Sequence, residues 1–173
     1  IGDPNPNFTF GLTNSFKYKG FDLSVFLQGS QGNDILNYTK RSLETPVNVY
    51  WNQLQTSLTD RYSELFNTNG TVPRYNQWHQ DNKRVSSRFV EDGSYLRIQN
   101  ITLGYNLPAA WINRIKMQAA RIYISGQNIY TFTKYSGYDP ELGSYNNDAL
   151  MQNIDLGNYP NPRTFTIGAN ITF

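Results

Sequence analysis

The side chains with the most obvious chemistry in this sequence are aromatic rings interleaved with amides. Tyr50, Trp51, Tyr62, Tyr75 and Trp78 stand among Asn, Gln, Arg and Asp in the stretch 31–88. A flat ring offers a stacking face, and a neighbouring amide offers paired hydrogen-bonding atoms. A sugar ring takes both. Tyr50, Trp51, Tyr75 and Trp78 are therefore candidate ligand contacts. The plainer alternative is that they pack the stretch on itself or against a covering protein, since pockets use few residues. A second polar set, Asp22, Gln28, Arg97, Arg121 and Gln127, lies on segments that read as strands.

Catalysis and metal binding find little support. His79 is the only histidine, and without partner ligands it reads as a plain loop residue. Asp139, Glu141, Asp148 and Asp155 do not follow the spacing of a calcium loop and read as polar-loop carboxylates. Gly29-Ser30-Gln31-Gly32 has no following Gly-Lys-Ser, so it is no phosphate loop. Cysteine is absent, which excludes disulfides, thiol catalysis and Cys-based zinc sites. No enzyme activity, metal or cofactor is expected. Fifteen basic and thirteen acidic residues leave a net charge of +2. That gives no concentrated basic face for nucleic acid.

The elements that position these residues show period two. Phe8, Phe10, Leu12, Phe16 and Tyr18 alternate with Thr9, Gly11, Thr13, Ser15 and Lys17, which predicts a strand over about 7–18. Lys19-Gly20 predicts a tight turn. A second strand, about 21–30, places Phe21, Leu23, Val25 and Leu27 on one face. A third, about 95–107, carries Ile101, Leu103, Tyr105 and Leu107 on one face, with Leu96 and Ile98 in the opposite phase. The phase change predicts a bulge near Gln99-Asn100, or a strand that leaves the apolar layer there. A connector from Pro108 to Ala119 has one or two helical turns around Trp111, Ile112 and Ile115. The fourth strand runs over about 120–132, with Ile122 and Ile124 on one face. The fifth, about 163–173, alternates Phe165, Ile167, Ala169, Ile171 and Phe173 with small polar residues. Between Pro46 and Gly70, Val49, Leu54, Leu58, Tyr62, Leu65 and Phe66 recur at helical spacing.

Strands this long match a tilted crossing of a bilayer, which takes about 9–11 residues. No run approaches 18 apolar residues, but barrel strands hide from hydropathy averages, and a mean hydropathy of −0.60 is compatible with them. The connections alternate short (19–20), long (31–88), short (108–119) and long (133–160), as in outer-membrane barrels. Tyr18, Phe21, Tyr105 and Phe173 gather at the short-turn ends; Phe8, Phe10, Tyr130 and Phe132 gather at the other. On this reading Leu12, Leu23, Val25, Leu103, Ile124, Ile167 and Ile171 face lipid, and Asp22, Gln28, Arg97, Arg121 and Gln127 face the lumen. There they line a path or hydrogen-bond to whatever fills it. The alternatives are a soluble β-sandwich module that binds carbohydrate, and a passive porin. The chain begins at Ile1 with no signal peptide following, which suggests a removed leader or a piece of a longer chain.

Several blocks are more specific than the pattern. Phe26 to Ile35, Arg88-Phe89-Val90-Glu91-Asp92-Gly93-Ser94-Tyr95-Leu96-Arg97, Asn100 to Pro108, Tyr135-Ser136-Gly137-Tyr138-Asp139-Pro140-Glu141 and Tyr159 to Thr166 occur in this order. Together they resemble the C-terminal end of SusC/RagA-family TonB-linked outer-membrane proteins. The resemblance covers nearly the whole chain, with 36–87 as the variable part. It implies an all-β antiparallel transmembrane barrel of about 22 strands, of which residues 1–173 supply the last five. It also implies an N-terminal plug outside this chain, a SusD-like lipoprotein lid, and TonB contact through the missing N-terminal part. The cargo would be oligosaccharide or peptide, and the location the bacterial outer membrane. Phe173 would carry the signal for the barrel-assembly machinery. Five strands cannot close a barrel, because an open edge cannot face lipid.

Overall fold

The computed structural model describes residues 1–45, 52–74, 81–112, 117–145, 148 and 150–173. The chain divides into two compact units. One is a sheet of Pro6–Gly32, Ser94–Lys134 and Pro160–Phe173; the other comprises Ile1–Asn5, Asn33–Gly93 and Tyr135–Tyr159.

The sheet unit holds five long strands: β1 (Phe8–Tyr18), β2 (Phe21–Gln31), β5 (Tyr95–Asn106), β6 (Ala119–Thr133) and β8 (Thr164–Thr172). They form an antiparallel meander in the order β1-β2-β5-β6-β8. The β1–β2 hairpin pairs Tyr18 with Phe21. Lys19 and Gly20 both have positive φ, the type I′ geometry whose twist suits two right-twisted strands. Between β5 and β6, a single helical turn, α3 (Ala109–Ile112), follows Pro108. Ile115 lies outside the described residues.

The phase change in β5 is a bulge. Leu27 pairs with Ile98 but Phe26 pairs with Asn100, leaving Gln99 as an extra residue. On the other side Ile98 pairs with Tyr130 and Asn100 with Gln127, so β6 loops out two residues there. One of them, Asn128, takes positive φ. The bulge returns Leu96 and Ile98 to the face that carries Ile101 and Leu103. The strand therefore stays in its apolar layer.

The second unit contains elements too short for periodicity to reveal. A small sheet is built from β3 (Asp34–Asn37), β4 (Val90–Asp92) and β7 (Ile154–Asp155), in the order β4-β3-β7. Here β3 runs antiparallel to β4 and parallel to β7. Helix α1 (Tyr38–Glu44) starts where Asn37 Oδ1 accepts from Lys40 N at 2.8 Å, an N-cap that satisfies one of the orphan donors of the first turn. Ile35 and Phe89 form its apolar centre, at 0% and 1% exposure. The helical spacing between Pro46 and Gly70 does not build one continuous helix; Val49 lies outside the described residues. Among the described residues of that stretch only α2 (Thr56–Thr59) is helical. Beyond it the chain turns back, with Ser63 bridging Asn67 and Arg61 bridging Val72. Leu65 and Phe66 are exposed at the turn, so their spacing buries no face. No helix of the described residues is long and apolar enough to cross a membrane.

Candidate functional site: the two faces of the sheet and the loop cluster

The sheet has one apolar face and one polar face, and its register fixes which residues share each. Phe16, Leu23, Leu103, Ile124 and Ile167 form one continuous row across all five strands. Leu12 and Leu27 pair on this face, as do Ile101 and Val25, and Ala120 and Ile171. Much of it is open: Leu12, Leu103, Ile124, Ile167 and Ile171 are all exposed, Ile167 at 83%. An apolar sheet face left uncovered in water would be an aggregation surface. Aromatic rings mark both ends. At the short-turn end Phe21 and Tyr105 lie 4.5 Å apart between ring centroids. At the other end Tyr130 and Phe132 lie 4.7 Å apart, and Phe8 and Phe10 6.2 Å.

The opposite face is polar, and side-chain bonds tie together its three central strands. Arg121 donates from Nε to Asp22 Oδ1 at 3.0 Å and from Nη2 to Oδ2 at 2.5 Å, a bidentate pair. Its guanidinium lies over Gly104, where a Cβ would come within 2.6 Å of the Arg121 Cζ. Similarly, Tyr123 lies over Gly168, where a Cβ would meet the ring at 2.5 Å. The glycines are the seats on which large polar-face side chains lie flat. Thr102 and Ser125 hydroxyls meet at 2.9 Å. Arg97 is only 1% exposed and donates from Nε to Thr131 Oγ1 at 2.9 Å. Gln28 Nε2 lies 3.5 Å from the Tyr95 hydroxyl. Asp22, Gln28, Arg97, Arg121 and Gln127 thus share one face. Arg97 and the Asp22–Arg121 pair act in this chain as internal struts, while Gln127 is exposed.

In the loop unit the chemistry centres on residues that composition does not single out. Glu91 Oε1 accepts from Lys40 Nζ and from Ser136 Oγ, each at 2.9 Å, and Oε2 accepts from Ser136 N at 2.9 Å. Asn37 Nδ2 reaches Glu91 Oε1 at 3.4 Å and Ser136 Oγ at 3.3 Å. Burial by itself pushes the Glu91 carboxyl up. Lys40 and the two Ser136 donors outweigh it and hold the carboxyl below its ordinary value. The Tyr135 hydroxyl donates to Asp155. Burial, and then that carboxylate, push the Tyr135 phenol well above the ordinary tyrosine range. Asp155 Oδ1 accepts from Gly157 N at 2.8 Å, and its carbonyl accepts from Thr39 Oγ1 at 3.2 Å. Arg88 Nη2 pairs with Glu44 Oε2 at 2.7 Å. These bonds join the stretches 33–93 and 135–159 into one body.

Two of the four loop carboxylates are therefore not solvated loop groups. Asp155 and Asp139 are 2% and 8% exposed, and Asp139 Oδ1 accepts from Glu141 N at 3.0 Å. The candidate ligand contacts Tyr50, Trp51, Tyr75 and Trp78, with His79, lie outside the described residues. Among the described residues no group of three His, Cys, Asp or Glu side chains could hold a metal ion. A signal for the loop network was present in the blocks 88–97 and 135–141, which contain Arg88, Phe89, Glu91, Tyr135 and Ser136.

No family model matches the chain. Over 177 residues, all of this chain, it is 42% identical to TonB-dependent receptor P3 of Formosa agariphila, of which it covers 17%. It is 31% identical over 180 residues to TonB-dependent receptor P26 of the same organism, covering 18% of it. To the TonB-dependent receptor SusC of Bacteroides thetaiotaomicron it is 30% identical over 177 residues, covering 98% of this chain and 15% of the relative. Among solved structures, the RagAB peptide importer in its closed-closed state superposes with a TM-score of 0.79 at 25% identity, over 98% of this chain and 17% of that one. The chain thus spans 15–18% of the length of the curated relatives it matches.

Proposed function

Because the chain is homologous along its whole length to a stretch of the SusC/RagA-family TonB-dependent receptors, we propose that it forms five wall strands and two surface loops of an outer-membrane importer. The importer takes up oligosaccharide or peptide nutrients, draws energy through TonB, and works beneath a SusD-like lipoprotein lid. It is a transporter and not an enzyme.

The single observation that carries this reading is the meander itself. It has one continuous apolar face between two aromatic bands and one polar face whose central strands are joined by side-chain hydrogen bonds. A bilayer takes the first, and a water-filled or plugged lumen takes the second. Leu12, Leu23, Val25, Leu103, Ile124, Ile167 and Ile171 then face lipid; Asp22, Gln28, Arg97, Arg121 and Gln127 face the lumen. There the Asp22–Arg121 pair and Arg97 stiffen the wall. In the described sheet β1 and β8 each pair on one side only. Unpaired strand edges do not persist in hydrocarbon, so further strands of the same protein must cover both. Phe173, in phase with the apolar face of β8, would engage the barrel-assembly machinery.

The test uses the whole receptor in its native membrane. Deleting its gene should abolish uptake of the cognate nutrient. The extracted protein should migrate faster on SDS-PAGE unboiled than boiled. A receptor that is not heat-modifiable, or whose deletion leaves uptake of every nutrient tested unchanged, refutes the proposal.

A further inference from the structure

A cleft of about 510 Å³ opens in the loop unit between α1, the start of α2 and the turn at Gly137. That is within the range of about 300–1,000 Å³ typical of small-ligand sites. We infer that this cleft is a surface subsite for an uncharged oligosaccharide, with Tyr138 as its stacking platform. The inference rests on the importer reading above and names the substrate class for it.

The charged groups of the cleft are already engaged. Three charged side chains line the cleft: Lys40, Glu44 and Asp155. Each has its partner within the protein. Lys40 pairs with Glu91 at 2.9 Å, Glu44 pairs with Arg88 at 2.7 Å, and Asp155 accepts from Tyr135 and from Gly157 N. An anionic glycan or the charged ends of a peptide would have to break one of these pairs, which are at least half-buried and costly to separate. What the cleft offers freely is neutral. Leu43 and Leu54 give aliphatic surface, and Gln55 and Thr56 give exposed polar side chains that have no hydrogen bond to a described residue. Tyr138 gives a ring that is 74% exposed. Apolar walls beside an unengaged amide, a hydroxyl and an open ring match the CH faces and hydroxyls of a neutral sugar.

The backbone beside Tyr138 is anchored. Gly137 lies against the Tyr135 ring so closely that a Cβ there would collide with it. Tyr135 in turn is fixed by its bond to Asp155. The backbone turn that carries the platform is therefore anchored to the buried network, which fixes where the ring is presented.

The experiment measures binding by the intact receptor complex in detergent. The probes are hexasaccharides of neutral glucans and mannans, a sulfated galactan oligosaccharide and a mixed hexapeptide. The expected result is that a neutral hexasaccharide binds and that Tyr138→Ala weakens it at least about tenfold, with Tyr138→Phe within about twofold of wild type, since the ring and not the hydroxyl supplies the stacking face. Tyr138 is exposed, so neither variant should disturb folding; heat-modifiability checks this. The inference is overturned if only the charged probes bind, if no probe binds, or if Tyr138→Ala leaves neutral-glycan binding unchanged. Those outcomes leave the importer reading intact wherever deletion of the receptor still abolishes uptake of some nutrient. Loss of heat-modifiability or of any uptake phenotype sinks the importer reading instead.

Discussion

Replacing Ile167 by Arg should separate a membrane wall from a soluble sheet. Ile167 sits mid-strand in β8 opposite Ile124, in the row that continues through Leu103 and Leu23 to Phe16. Its side chain is 83% exposed, so truncating it removes little packing. In water an exposed Arg at this point would change stability by no more than about 0.5 kcal/mol. On the lipid face near the bilayer midplane it should cost about 2–4 kcal/mol. Thr166, the next residue, pairs with Ser125 on the other face, and Thr166→Arg should cost less than about 1 kcal/mol. The assay is urea unfolding of the whole receptor reconstituted in lipid vesicles. With a slope of about 1–3 kcal/mol per molar urea, the two variants should differ in midpoint by at least about 0.3 M. Equal midpoints, or an Ile167→Arg variant as stable as wild type, would refute the face assignment.

Other consequences follow from the buried networks. Glu91→Gln removes the charge that Lys40 faces and should loosen the loop unit by about 1–3 kcal/mol, read as faster proteolysis of 33–93 on intact cells. The Glu91 carboxyl is held below its ordinary value of 4.5. Its contribution is therefore complete above that pH and is lost as pH falls below it; hydrogen exchange between pH 6 and 3 should show this in wild type and not in Glu91→Gln. Tyr135→Phe takes a donor from the buried Asp155 and should cost about 1–3 kcal/mol by the same proteolysis assay. Because the Tyr135 phenol is raised above its ordinary value of 10.0, its contribution is complete below pH 10 and falls away above it. Gly104→Val puts a side chain where the Arg121 guanidinium lies. It should break the Asp22 pair and lower the yield of heat-modifiable receptor, at a cost of about 1–3 kcal/mol, whereas Gly143→Ala, with open space at its Cβ, should not.

The sheet is legible in the sequence because it is built from long strands with a strict two-residue period. Even its bulge leaves a trace: Leu96 and Ile98 are out of phase with Ile101 and Leu103, and only an inserted residue can return them to one face. The loop unit is not legible in this way. β3 has four residues and β7 has two, shorter than any window in which a period can be recognised. Helix α1 has seven residues, and its one local signal, Asn37 before Tyr38, is an ordinary N-cap that many loops also contain. Conversely, Leu58, Tyr62, Leu65 and Phe66 mimic a helical stripe although the chain reverses at Ser63–Asn67. The buried polar network of the loop unit is harder still. Glu91 meets Lys40 across 51 residues and Ser136 across 45, a juxtaposition that only tertiary structure creates. Asp155 reads as one more loop carboxylate until its burial is seen.

On the importer reading, one face of this sheet meets lipid and the other does not. This is tested most directly by attaching spin labels to single cysteines, introduced in turn at Leu103, Ile124 and Ile167 and at Thr102, Ser125 and Thr166 of the whole receptor in vesicles. The account predicts high oxygen and low nickel-chelate accessibility for the first three labels, and the reverse or mutual exclusion of both reagents for the second three, since lipid concentrates oxygen and excludes the chelate. Nickel-chelate access to labels at Leu103, Ile124 and Ile167 equal to that at Thr102, Ser125 and Thr166 would contradict it.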